Sequence, residues 1–229
     1  MDIVYQIMMG VSLAACAGFR AWLPLFVAGI MAKTGHIHLN ESMLFLQSTP
    51  VLAIFGIASV LEFCGDKIIV IDHFLDAVGT VARPVAGTLL VSSMITKMDG
   101  STAMILGLIA GGGTAFTMHS GKAVMRAKAT VLSPLHGGIG NAVLSIGEDI
   151  LSGFGSVVAV FWPVLAFAFT IFALIVAGML IYVGWHAGKK LVNAISSPRV
   201  DALPQPAYAM DAPQTYAVNA PEQTSMEGT

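Results

Sequence analysis

Residues 156–183 run for twenty-eight positions without an acid, a base or a histidine. A helix built from them has no polar face to offer water, whereas a helix that crosses a bilayer needs about 20 mostly apolar residues. The run closes on Tyr182, Trp185 and then Lys189-Lys190, the aromatic-then-basic order found at a cytoplasmic membrane boundary. The rest of the chain is compatible with that solvent. Of its 229 residues 10% are charged and 56% hydrophobic, against roughly 25% and 45–50% in soluble domains, and its mean hydropathy is +0.81. Such a composition excludes disorder for the bulk of the chain. With 11 Lys and Arg against 13 Asp and Glu, there is also no basic field for nucleic acid. The expectation is an all-α, polytopic transmembrane helix bundle of about six spans, some short or broken.

Six apolar stretches are candidates: 3–31, 49–63, 77–95, 102–118, 140–154 and 156–183. The first is long enough for one tilted helix or two half-helices, and the fifth is weakest because it contains Glu148 and Asp149. Counting all six, with both termini inside, puts Lys67, Lys122, Arg126, Lys128, Lys189, Lys190 and Arg199 on the inner side. Lys33 and Lys97 remain outside, and Arg20 and Arg83 fall within spans. Seven against two satisfies the positive-inside rule, whereas five spans would strand Lys122, Arg126 and Lys128 outside.

The inner connections 64–76 and 119–139 mix apolar and charged residues and are expected to lie at the interface as amphipathic segments. Each leads to a Pro-x-x-Gly, in Arg83-Pro84-Val85-Ala86-Gly87 and Ser133-Pro134-Leu135-His136-Gly137. Internal repeats of this kind occur in transporters. Pro at helix starts and Gly at close contacts produce the same pairs without any repeat. Residues 1–196 thus form a transmembrane domain. The polar stretch 197–229, with Arg199 against Asp201, Asp211, Glu222 and Glu227, cannot bury an apolar face and is expected to be a disordered cytoplasmic tail.

An unpaired charge at mid-membrane costs about 2.5 kcal/mol or more, so charges inside spans are the best functional pointers. Arg20 precedes Ala21-Trp22-Leu23-Pro24, and Pro24 removes the hydrogen bond to the Arg20 carbonyl, which favours a kink or break. A cation at a broken helix either meets an anionic substrate or pairs with Glu62 or the Glu148-Asp149 pair and locks the bundle. Glu62/Asp66 and Asp72/Asp76 are each four apart and can share a helix face. They are read either as a cation or proton site or, with Lys67, as solvated charges with one Asp76–Arg83 bridge. His119, Lys122 and Arg126 recur at helical spacing, a stripe expected to face anionic headgroups.

Other motifs carry less. Leu13-Ala14-Ala15-Cys16 resembles a lipoprotein cleavage site, but the leader lacks a basic residue before Arg20. His36-Ile37-His38 lacks a third ligand nearby. Gly111-Gly112-Gly113, in an apolar span, reads as close packing or a hinge. The 13 Met residues are scattered as packing. Cys16 and Cys64 suggest no disulfide framework. No cofactor or metal is expected.

Three blocks of the membrane part resemble an uncharacterised family of bacterial membrane proteins classed as a domain of unknown function. The first is Ala14-Ala15-Cys16-Ala17-Gly18-Phe19-Arg20-Ala21-Trp22-Leu23-Pro24. The second contains Glu62, Asp66-Lys67, Asp72, Asp76-Ala77-Val78-Gly79-Thr80 and Arg83 to Gly87. The third contains His119, Lys122-Ala123, Arg126, Ser133-Pro134, Asn141, Leu144-Ser145 and Glu148-Asp149. The resemblance implies a bacterial inner-membrane location and no known reaction. The leading functional expectation is a small-solute or ion transporter in which Arg20, Glu62, Arg83, Glu148 and Asp149 line a polar interior. The alternatives are a non-catalytic accessory or scaffold subunit and a membrane enzyme acting on lipids. Expected partners are the bilayer and a homo-oligomer or larger membrane complex.

Overall fold

Arg20 breaks the first apolar stretch, and the break sets the architecture. In a computed structural model of the chain, residues 2–65, 69–132 and 139–196 are described, with side chains for 2–65, 74–126, 145–190, 192 and 193. Helix α1 (Ile3–Phe19) ends where Arg20 turns extended, at φ −134° and ψ 118°, and α2 (Trp22–Lys33) begins two residues later. Pro24 lies in the first turn of α2, where its missing N–H costs nothing, while a continuous helix would lose a bond there.

The two half-helices do not stack into one crossing; they fold back as a hairpin. The run of α7 (Ile139–Phe161) along both of them shows this. Midway along it, Asp149 meets Arg20; further on, Ser152 donates to the Cys16 carbonyl at 3.2 Å. In the other half, Gly153 faces Leu23, and Phe161 at the end of α7 meets the His36 ring at 5.9 Å. Contacts that advance along α7 therefore retreat along α1 and advance along α2. At the far end, Gln6 exchanges two hydrogen bonds with Thr96, at 2.7 and 3.2 Å. Asn40 donates to the carbonyls of Ser93, Ile95 and Met98 beside it. The start of α1 and the loop after α2 thus share one end of the bundle, and Arg20 marks the other. That loop begins where Gly35, at φ +80°, lets the His36 N–H reach the Met31 carbonyl and the Gly35 N–H reach that of Ala32, a helix-terminating pattern that requires a left-handed residue.

After the 3-10 turn Glu41–Gln47, α3 (Thr49–Gly65) returns towards Arg20 and α4 (Ile69–Met94) goes back past α1. A short α5 (Gly100–Leu106), a π-helical turn Gly107–Gly112 and α6 (Gly113–Leu132) make the next pass, and α8 (Pro163–Ser196) follows α7. No strand occurs among the described residues. Phe74–Met94, Gly100–Arg126 and Pro163–Lys190 are long and apolar enough to cross a membrane, and the pair Glu41–Gln47 and Thr49–Gly65, bent by 60°, makes a fourth candidate. The core follows the hairpin: Met9, Leu13 and Ala17 of α1 and Leu25 and Ala28 of α2 are buried with Leu90 and Met94 of α4. Where α4 crosses the π-helical turn, a Cβ on Gly111 would lie 2.1 Å from the Gly87 carbonyl oxygen. Gly111, the first of the three glycines, therefore serves close packing of backbones.

Three expectations change. The apolar run 156–183 is divided at Trp162, because Pro163 starts a new helix and cannot donate into the old one. The segment 64–76 is not a separate interfacial piece over its described part, since Ile69 already belongs to α4. Nor is 119–132, where α6 runs without interruption. The Ser133 to Gly137 half of the repeat and the tail 197–229 lie outside the described residues. The chain divides into two compact units, Met1–Ala187 and Gly188–Thr229. The bundle contacts above belong to the first, and the described part of the second is the helical stretch 188–196.

Candidate functional site

The break at Arg20 leaves helix-end groups that α1 and α2 cannot satisfy between themselves. Other helices supply the partners. Lys122 of α6 donates from Nζ to the Phe19 carbonyl at 3.3 Å, and Glu62 of α3 accepts the Ala21 N–H on Oε1, also at 3.3 Å. Gly18, two residues before Arg20, brings α1 onto α6 so closely that a Cβ there would lie 2.4 Å from Met118 Cβ.

Around this tip the ionisable side chains form one connected cluster. Arg20 Nη2 lies 2.7 Å from Asp149 Oδ1 and 3.3 Å from the Ser145 hydroxyl, and Nη1 donates to the Glu62 carbonyl at 3.1 Å. Lys122 Nζ is 2.8 Å from Glu148 Oε2, which also receives Arg126 Nη2 at 3.0 Å. Arg126 Nη1 reaches Asp76 at 3.5 Å, and Arg83 Nη2 lies 3.4 Å from the same carboxylate and 3.8 Å from Glu62 Oε1. Arg83 also meets the His119 ring at Nδ1, and His119 Nε2 lies 3.3 Å from the Thr80 hydroxyl. A guanidinium can only donate, so Nδ1 accepts and the proton of the neutral imidazole belongs on Nε2.

Four cations (Arg20, Arg83, Lys122, Arg126) thus meet four carboxylates (Glu62, Asp76, Glu148, Asp149) among the described residues. The cluster is graded. Side-chain exposure is 2–7% at Arg83, Arg20, Lys122, Glu62 and Glu148, and rises through 15% at Arg126 to 37% at Asp76. At the buried end, Glu62 Oε2 and Arg83 Nε have no hydrogen-bond partner among the described residues. A buried polar atom left in this way is costly.

Arg20 lies beside Asp149 and the Glu62 carbonyl, among the acids named for its pairing rather than its substrate-binding reading, and the Asp76–Arg83 contact is present at 3.4 Å. The stripe His119, Lys122 and Arg126 is corrected. His119 and Lys122 are only 7% and 6% exposed, so they face the bundle interior and hold acids and the hairpin tip, not headgroups. Asp66 and Lys67, and the side chain of Asp72, lie outside the described residues. Sequence reasoning missed Asn40 and Gln6, which tie the far end, and the carbonyl of Phe19. Only a backbone group's need for a partner at the predicted break pointed to the last.

The fold and site define a polytopic helical membrane protein whose α1–α2 hairpin ends in a buried cluster of charges. The chain belongs to a family described as a domain of unknown function, DUF4126, whose sequence model matches residues 7–183. That range contains every residue of the cluster. Comparison with curated proteins and with solved structures returned no match.

Proposed function

We propose that the chain is a small-solute or ion transporter of the bacterial inner membrane, with the cluster at the α1–α2 tip as its site. One observation carries this reading. A continuous row of ionisable groups leads from the 37% exposed carboxylate of Asp76, through Arg83, to Glu62 at the tip, where Oε2 has no hydrogen-bond partner among the described residues. Glu62 holds the hairpin through one oxygen and has the other available to a proton or a cation. Charged groups inside transport proteins act in this way, and half-helix ends near the centre of a bundle are common binding elements. The basic residues near this end favour the cytoplasmic side for it under the positive-inside rule. The start of the chain, at the other end of the hairpin, then lies outside, in place of the inner position expected from counting 3–31 as one crossing.

The mutual pairing of the cluster favours a second reading, an accessory or scaffold subunit in which the charges lock the helices. Reconstitution in vesicles separates the two. Under the transport reading, Arg20→Ala abolishes proton or solute flux while the protein still inserts and elutes as the wild type does. If the Arg20→Ala protein that does insert still carries the flux, and only its yield falls until a change at Asp149 restores it, the charges are structural.

A further inference from the structure

The four carboxylates of the cluster are not equally well held. Glu148 has Lys122 at 2.8 Å and Arg126 at 3.0 Å. Asp149 has Arg20 at 2.7 Å, Asp76 has two guanidinium groups at 3.4 and 3.5 Å, and both acids are partly exposed. Glu62 is as deeply buried as Glu148, yet its ion contact among the described residues is Arg83 at 3.8 Å. Its Oε1 accepts the Ala21 N–H at 3.3 Å, and its Oε2 has no hydrogen-bond partner among the described residues. An ionised carboxylate away from water is supported only by the cations and donors around it. Glu62 has the least support of the four.

We propose that the ion taken up by the cluster is a proton and that Glu62 is the residue that binds it. The four cations and four carboxylates balance when all are ionised, so the cluster changes its charge most easily at the acid held least well. A metal cation requires several oxygen ligands. The charged groups that act on Glu62 are themselves cations, Arg83 of α4, Arg20 at the tip and Lys122 of α6, and they repel a second cation. A proton needs no ligand shell and no added volume. Release is accounted for as well, because Arg83 at 3.8 Å stabilises the charged form that remains. Loading also reaches the hairpin: Oε1 holds the Ala21 N–H, and a neutral carboxyl is a weaker acceptor than a carboxylate. The proposal rests on the transport reading for the passage of the proton across the membrane, though not for its binding.

Binding is tested on the full wild-type chain in vesicles with dicyclohexylcarbodiimide, an apolar reagent that adds to protonated carboxylic acids away from water. Adducts are located by peptide mass spectrometry over a pH series. Glu62 is expected to carry about tenfold more adduct than Glu148, and that adduct should decline as pH rises. The comparison is fair because the two side chains are equally buried. No adduct at Glu62, as much at Glu148 as at Glu62, or an adduct indifferent to pH would each overturn the proposal. Passage is read in the same vesicles with an internal pH dye under a potassium diffusion potential. Wild-type protein is expected to acidify the interior, and Glu62→Gln, which keeps an acceptor for Ala21, to abolish that flux while eluting as the wild type does. Proton flux undiminished in Glu62→Gln overturns the assignment; if that variant does not fold, the adduct map of the wild type decides. The two readings fail separately. Sodium flux without an adduct at Glu62 overturns this proposal and leaves transport standing, whereas an adduct at Glu62 in a chain that moves nothing overturns transport and leaves the binding site.

Discussion

At the scale of single residues, Arg20 does two kinds of work. Its guanidinium neutralises Asp149 at 2.7 Å, and its Nη1 donates to the carbonyl of Glu62, so it joins the hairpin tip to both α7 and α3. Removing one partner of a buried pair leaves the other charge uncompensated, which costs more than the pair contributes. Arg20→Met is expected to lower stability by about 3 kcal/mol, the low end for such pairs, because Asp149 stays 20% exposed. Adding Asp149→Leu should recover most of that loss. Thermal unfolding of the single and double variants in one detergent checks this, and a double variant no more stable than Arg20→Met would show that the pair is not the reason. Arg20 was legible in the sequence as a charge needing a partner, and Pro24 as the cause of a break. Which acid it would meet was not legible, since Glu62, Glu148 and Asp149 all satisfied the same requirement until the helices were placed.

At the scale of elements, the crossing of α4 with the π-helical turn and the start of α6 make opposite demands. Gly111 and Gly87 hold two backbones together with no room for a side chain, so Gly111→Ala drives a Cβ to 2.1 Å from a carbonyl oxygen. A destabilisation of about 1–3 kcal/mol is expected from such overpacking. Gly113, two residues on, faces open space, and Gly113→Ala should gain up to ~1 kcal/mol from helix propensity. Melting temperatures of the pair of variants measure the contrast, and equal effects would sink the packing account. Asp99, in the turn before α5, accepts from the N–H and the hydroxyl of Thr102. These bonds hold its carboxyl below the ordinary aspartate value. That contribution is full above the ordinary value and is lost as pH falls through the lowered one. Asp99→Asn keeps a capping acceptor and removes this part of the acid dependence, which a pH series of melting temperatures reads. The span in 102–118 was evident from its apolar run, but the π turn within it was not, because it arises from the contact with α4.

At the scale of the whole molecule, the hairpin sets which end of the chain is where. With the charged end in the cytoplasm, the start of α1 faces outward. Asp2→Cys, in a background of Cys16→Ala and Cys64→Ser, is expected to react with a membrane-impermeant thiol reagent added to intact cells. Labelling only after permeabilisation would refute that orientation. The sequence alone determined the solvent and the helical class, because runs such as 156–183 have nowhere to go but a bilayer and backbone groups there can pair only within helices. It also determined which few charges any site had to use. Tertiary structure decided the direction of α2, the inward turn of His119 and Lys122, and the neutral pairing around Arg20. A helix pattern says which residues share a face, but it does not say what that face meets. That depends on packing between residues as far apart as Cys16 and Ser152, a distance along the chain over which local periodicity carries no information.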